Sequence, residues 1–292
     1  LNWNKSIKKM ALQIYTPKKL RMRKLLFLLL ALPLYHHVWA QGPNGVPPLG
    51  VPGLQTDRFF VLDSATYKFA YTLTCVVDTD RLEKAENKLV LLIGKNVSKM
   101  FNIYPSHPEM KKGVVRPDES RGLGGTEVFK DFRNRKMEIT TRVCVPRGDV
   151  FLYEEALPLQ AWTLLADVKQ IHGYNCQKAT TKYLGREYEA WYTLDIPFSN
   201  GPWKLGSLPG MILEAYDVQK HYVFNCVGIE KLNKREPIVK YDWHYVRTTR
   251  EGVNDLIKRM CDDMDAYLSS IIQPKDHKPV YSPRPYNPLE RE

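Results

Sequence analysis

The chain has 292 residues, of which 43% are hydrophobic and 26% charged, and its formal net charge is +11. Residues 1–40 hold eight Lys/Arg and no acid, so setting them aside leaves a charge of +3. That near-balance excludes a general nucleic-acid or polyanion binder, and the length suffices for one substantial core or two small ones.

The amino terminus reads as a targeting segment. Lys18, Lys19, Arg21, Arg23 and Lys24 form a basic stretch, Leu25 to Leu34 an apolar run too short to span a bilayer comfortably, and Val38-Trp39-Ala40 a cleavage signal before Gln41. The expectation is export through a cleavable signal peptide to the periplasm, outer-membrane surface or extracellular space, with no transmembrane span left afterwards. Met22, followed by Arg23-Lys24, is as good a start as Leu1. The organisation predicted is an extension plus signal over 1–40, a Pro/Gly-rich spacer over 41–56, one domain over 57–272 and a Pro-rich tail over 273–292.

Within the domain, Tyr67 to Val77 and Lys88 to Ile93 predict strands, by Thr/Tyr/Val alternation and a short apolar run. Tyr104 to Thr126 is polar, with three Pro and a Gly-rich stretch, and reads as a long loop. Lys136 to Val145 and Val150 to Glu154 predict strands joined by Pro146-Arg147-Gly148-Asp149. Tyr174 to Tyr183 and Glu187 to Thr193 form a hairpin about Leu184-Gly185-Arg186. Met211 to Tyr216 and His221 to Ile229 form a second, with Tyr222, Phe224 and Cys226 on one face and Val223, Asn225 and Val227 on the other.

Late in the chain, Thr248 and Glu251 have capping-box spacing ahead of Val253, Leu256, Ile257, Met260, Met264, Tyr267, Leu268 and Ile271 at helical period. One amphipathic helix is expected there. Pro274 to Glu292 then carries five Pro and reads as an extended tail or tethered strand. Many antiparallel strands and a late helix predict an α+β protein: an antiparallel, β-rich curved sheet or half-barrel with one C-terminal amphipathic helix.

Five Cys lie beyond residue 40, and none has the spacing of a zinc ligand pair, so neither a metal nor a cofactor is expected. Export favours at least one disulfide, with Cys176 and Cys226 the chosen pair. No catalytic motif is evident either. His172, His221 and His244 are dispersed, Asp195, Asp217 and Asp242 sit beside turns, and Ser199 and Ser207 lack an elbow.

The segment Gly201-Pro202-Trp203-Lys204-Leu205-Gly206-Ser207-Leu208-Pro209-Gly210-Met211-Ile212 concentrates turn-forming residues in an apolar run. It reads either as a rigid corner plugging the core with Trp203 or as a rim presenting Trp203, Trp191 and Tyr192 to a ligand. With Leu157-Pro158, Trp162, Gly173 to Ala179, Gly185-Arg186, Ala190-Trp191-Tyr192 and the Tyr286-Asn287-Pro288-Leu289-Glu290 tail, it resembles the bacterial GLPGLI family. The resemblance implies an exported protein and assigns no reaction.

The leading expectation is therefore a non-catalytic envelope protein. It would bind or carry an apolar or extended ligand or an envelope protein through Trp191, Tyr192, Trp203, Leu208, Pro209 and Gly210. Alternatives are a secreted hydrolase or peptidase-associated factor using Asp195, Asp217, His172 or His221, and a surface-assembly component whose tail docks on a neighbour.

Overall fold

The computed structural model describes residues 57–103, 122–142, 149–271, 283 and 285–291. All of them fall in the compact unit spanning 49–292. The signal segment, the spacer, most of the 104–126 loop, the 146–148 turn and the first part of the tail lie outside the described residues.

Twelve strands build one sheet: β1 (Phe59–Asp78), β2 (Glu83–Ile93), β3 (Val97–Asn102), β4 (Thr126–Asp131), β5 (Lys136–Arg142), β6 (Val150–Ala156), β7 (Thr163–Ile171), β8 (Tyr174–Tyr183), β9 (Arg186–Thr193), β10 (Met211–Asp217), β11 (Tyr222–Tyr241) and β12 (Tyr245–Arg247). Their spatial order is β12-β6-β5-β4-β3-β2-β1-β11-β10-β9-β8-β7. Two meanders therefore run outward from a central pair of long antiparallel strands, β1 and β11. Every pairing is antiparallel except β12 with β6.

The β1–β11 ladder runs from Phe59↔Tyr241 to Cys75↔Tyr222, with register shifts at Val61/Asp63, Ala65/Tyr67 and Ala70/Tyr71. Such bulges bend a strand and sharpen its twist, so they shape the centre of the sheet. Burial alternates cleanly along Tyr222 to Gly228, as the side-chain period of a strand requires. On β2 the run Leu89 to Ile93 is buried throughout. Leu89, Leu91 and Ile93 join the main core, while Val90 and Leu92 pack with Ala65, Val97, Phe101 and Ile238 in a second cluster.

The late helical stripe forms two helices, α1 (Arg250–Asp262) and α2 (Met264–Ile271), separated at Asp263. Val253 joins the main core, and Leu256 packs with Phe151, Met260 and Tyr267. The cap falls one residue later than the spacing predicts: Thr249, not Thr248, accepts from the Gly252 amide. No helix among the described residues is long and apolar enough to cross a membrane.

The expected Cys176–Cys226 disulfide does not form, and both residues are buried thiols. Each sulfur is turned to backbone near its own position, Cys176 Sγ donating to Tyr174 O and Cys226 Sγ to Gly228 O. Burial pushes the Cys176 thiol up to about 11 and the Cys226 thiol up to about 12. Thiols so shifted carry almost no thiolate at neutral pH and react slowly.

Candidate functional site

The turn-rich segment forms a closed corner between β9 and β10. Asn200 and Gly206 pair as an isolated bridge, Met211 N donates to Ile196 O, and Ile212 N to Asn200 O. Gly210 is required by space: a Cβ there would stand 2.0 Å from Thr193 O. Trp203 and Ser207 both adopt left-handed backbone, at φ 51° and 66°, which non-glycine residues take only when neighbours hold them.

Those neighbours come from three directions. From β3, Met100 Sδ accepts from the Trp203 amide, and Ser98 Oγ from Asn200 Nδ2. From the β6–β7 connection, Gln160 Nε2 donates to Lys204 O and Trp162 Nε1 to Gly206 O, while Pro158 O accepts from Ser207 Oγ. From β4, the buried Lys130 ammonium donates to Asn200 Oδ1 at 2.9 Å, Gly201 O at 3.1 Å and Leu205 O at 2.6 Å. Three neutral acceptors match its three hydrogens. Burial pushes this amine down to about 7.

A second group of cations lies on the same corner and at the start of β9. Lys204 Nζ is fully buried, 2.6 Å from Glu155 and 2.8 Å from Glu290, with its charge over the Tyr153 ring. Arg250 stands 3.7 Å from Glu155 and 3.8 Å from Glu290, closing the group. Arg186, also fully buried, spends Nη1 on Asp217 at 2.8 Å and stacks over Tyr222. The other Asp217 oxygen accepts from the Tyr222 amide.

The remaining Arg186 donors meet the tail. Nε donates to Pro288 O and Leu289 O, and Nη2 to Asn287 Oδ1 and Pro288 O. Tyr222 Oη donates to Asn287 O, and Asn287 Nδ2 to Val76 O. Leu289 is buried in the main core, and Arg291 N donates to Leu184 O. Burial raises the Glu290 carboxyl above its usual range, while Lys204 pulls it back. The outcome is a slot lined by Arg186, Lys204 and Tyr222, with the Asn287-Pro288-Leu289-Glu290 segment in it.

The residues expected to bind a ligand are divided. Trp203 and Leu208 are each 1% exposed and belong to the core, Gly210 is buried, and Pro209 is exposed. Tyr192 is buried with its hydroxyl donating to Gln177 Oε1. Trp191 lies beneath a lattice of ion pairs: Lys169 sits 4.3 Å above its ring and pairs with Glu214, and Lys178 pairs with Glu189. Tyr216 Oη donates to Glu189 as well.

The alternative catalytic set is likewise not assembled around one centre. Asp217 is committed to Arg186 and the Tyr222 amide, Asp195 is exposed after β9, and His172 bonds through Nε2 to Cys226 O. No group of three or more potential metal ligands gathers among the described residues. Sequence reading missed Lys130, Arg186, Lys204 and Glu290 as partners. Arg186 and Lys204 were visible inside turn motifs and Glu290 inside the tail motif, but 86 residues separate Lys204 from Glu290 and no spacing rule joins them.

A family model described as the N-terminal domain of N-glycanase peptide matches residues 149–249, roughly a third of the chain. No curated protein matches the chain. Among solved structures, PNGF-II in one crystal form is 16% identical with a TM-score of 0.46, the match covering 66% of this chain and 33% of that one. A second crystal form gives 15% identity and 0.45, covering 66% and 32%. An uncharacterised conserved protein from Thermus thermophilus is 12% identical at 0.35, covering 63% and 91%. The chain thus spans about a third of the length of the PNGF-II chains.

Two expectations are corrected by these findings. The family that matches is the N-glycanase N-terminal domain and not GLPGLI. The hexapeptide's Pro and Gly report a backbone corner, and a corner does not define a family. The match to the N-glycanase N-terminal domain also overturns the leading expectation, a non-catalytic protein that binds or carries an apolar or extended ligand or an envelope protein.

Proposed function

We propose that the chain is a hydrolase-associated domain of the N-glycanase type, working beside a catalytic region that processes glycans. The observation that carries this reading is the family match over residues 149–249, a continuous run from β6 through β12. That run contains the corner with its anchoring segment, as well as Arg186, Lys204 and Asp217. The corner is held by side chains from β3, β4 and the β6–β7 connection and is buried from Asn200 to Gly206, so it is a rigid part of the core of this run.

The test is glycan release from an N-glycosylated protein by an N-glycanase catalytic region, assayed with and without this chain in excess. The reading predicts a faster release and a measurable association between the two proteins. Unchanged release together with no association at the highest soluble concentration would overturn it.

A further inference from the structure

Each cation of the tail slot has a partner outside the tail. Asp217 fixes the Arg186 guanidinium through Nη1, and Glu155 fixes Lys204, so both cations keep an internal partner when the tail is removed. What then remains unused is a patterned set of donors: Arg186 Nε and Nη2, the Tyr222 hydroxyl and one direction of the Lys204 ammonium.

The tail answers that pattern residue by residue. Three successive carbonyls, those of Asn287, Pro288 and Leu289, are each taken by a side chain. The Asn287 amide both donates to Val76 O and accepts from Arg186, Leu289 enters the core, and Glu290 meets Lys204. Pro288 has no amide hydrogen to satisfy, so its place costs nothing in lost bonds. Arg291 follows with its Cβ side against Gly185, whose φ of 72° and missing side chain leave room. This is recognition by sequence, in which charged donors give both affinity and direction.

The slot residues Arg186, Lys204 and Tyr222 lie within the 149–249 match, whereas the segment in the slot lies outside it. We propose that the slot is a recognition site for a separable Asn-Pro-Leu-Glu segment, and that the tail of a second copy of this chain can take it in place of the chain's own. The second copy is the partner because every copy carries the segment that fits. None of the contacts of residues 287–291 requires that the segment belong to the same molecule, which is the condition for exchange of an element between protomers. In one molecule the tethered tail is favoured by its high effective concentration, so exchange appears when that tail is disabled. The proposal does not depend on the hydrolase-associated reading.

The experiment uses full-length chains and a labelled peptide of residues 285–292. One chain carries Asn287→Ala, Leu289→Asp and Glu290→Lys, which spoil its own tail and leave the slot intact. Another carries Arg186→Met with Asp217→Asn, which removes the slot's guanidinium together with its buried counter-charge. The expected result is saturable peptide binding to the first chain, at least about tenfold weaker binding to the second, and a one-to-one complex when the two are mixed.

A peptide carrying Glu290→Lys should also bind at least about tenfold more weakly. If the tail-spoiled chain does not fold, the peptide is offered to a Leu289→Ala chain instead. A folded chain with either disabled tail that takes up no peptide and forms no mixed complex would overturn the proposal.

Discussion

The molecule buries two sets of cations, one caged by the corner and one at the corner and the start of β9, and satisfies them in opposite ways. Lys130 is surrounded by neutral oxygens contributed by the corner itself, within five residues of one another in the chain. Lys204 and Arg186 instead face carboxylates and carbonyls, some supplied from about a hundred residues away. The first arrangement fixes the local shape of the corner. The second fastens a distant segment to it. Burial without a counter-charge lowers the amine's affinity for its proton, against the pull of its three acceptors, whereas paired charges depend on both partners being present.

The sharpest way to break this comparison is Arg186→Met. It strands Asp217, which is 1% exposed, and should cost about 3–5 kcal/mol in urea unfolding. Lys130→Met is expected to cost about 3 kcal/mol at pH 7, because Gly201 O and Leu205 O lose their donor.

That second effect carries a pH signature. The Lys130 amine lies near 7 in the folded protein against an ordinary 10.5, so the unfolded chain holds the extra proton between those values. Its contribution is fully present above the unfolded value and is lost as pH falls through 7. The stability gap between wild type and Lys130→Met should therefore widen by about 2 kcal/mol from pH 7 to pH 9. A gap that narrows over this range would contradict the neutral-cage account.

Smaller changes sharpen the same contrast. Leu289→Ala should cost about 2 kcal/mol by urea unfolding, since it empties one buried position while leaving Glu290 on Lys204. Ser207 combines left-handed backbone with a hydrogen bond to Pro158 O. Ser207→Gly should thus be more stable than Ser207→Ala by about 1 kcal/mol in thermal unfolding, both having lost the bond and only the alanine keeping the strain.

Strands with alternating faces and good turn residues were legible in the sequence. β8 has the predicted bounds, and the hairpins about 184–185 and 217–220 are where Gly185 and Asp217 imply. β3 and β4 were not legible because each contains a buried lysine, Lys99 and Lys130, which reads locally as a polar surface position. Lys99 is matched by Glu127 and Val239 O, partners on other strands. β7 was missed for the reverse reason: it is an edge strand whose Leu164 and Val168 are exposed, so no buried face disciplines its pattern.

The corner was legible as a shape and not as a site. Pro and Gly announce backbone geometry locally, and the packing of Trp203 follows from it. The ion pairs that attach the tail join positions brought close by the folding of the chain, and such closeness is a property of topology. The Cys176–Cys226 expectation failed because the two cysteines lie on β8 and β11, three strands apart in the sheet, and each faces its own backbone.

The central claim is that one corner has two anchors, and that only one of them depends on the tail. Hydrogen–deuterium exchange on wild type and Leu289→Ala tests it directly, because local opening is read segment by segment. Protection should fall in residues 184–187, 217–222 and 285–291, while 126–131 and 198–206 keep wild-type exchange. Loss of protection across 198–206 of the same size, or no loss around Arg186 and Asp217, would contradict the account.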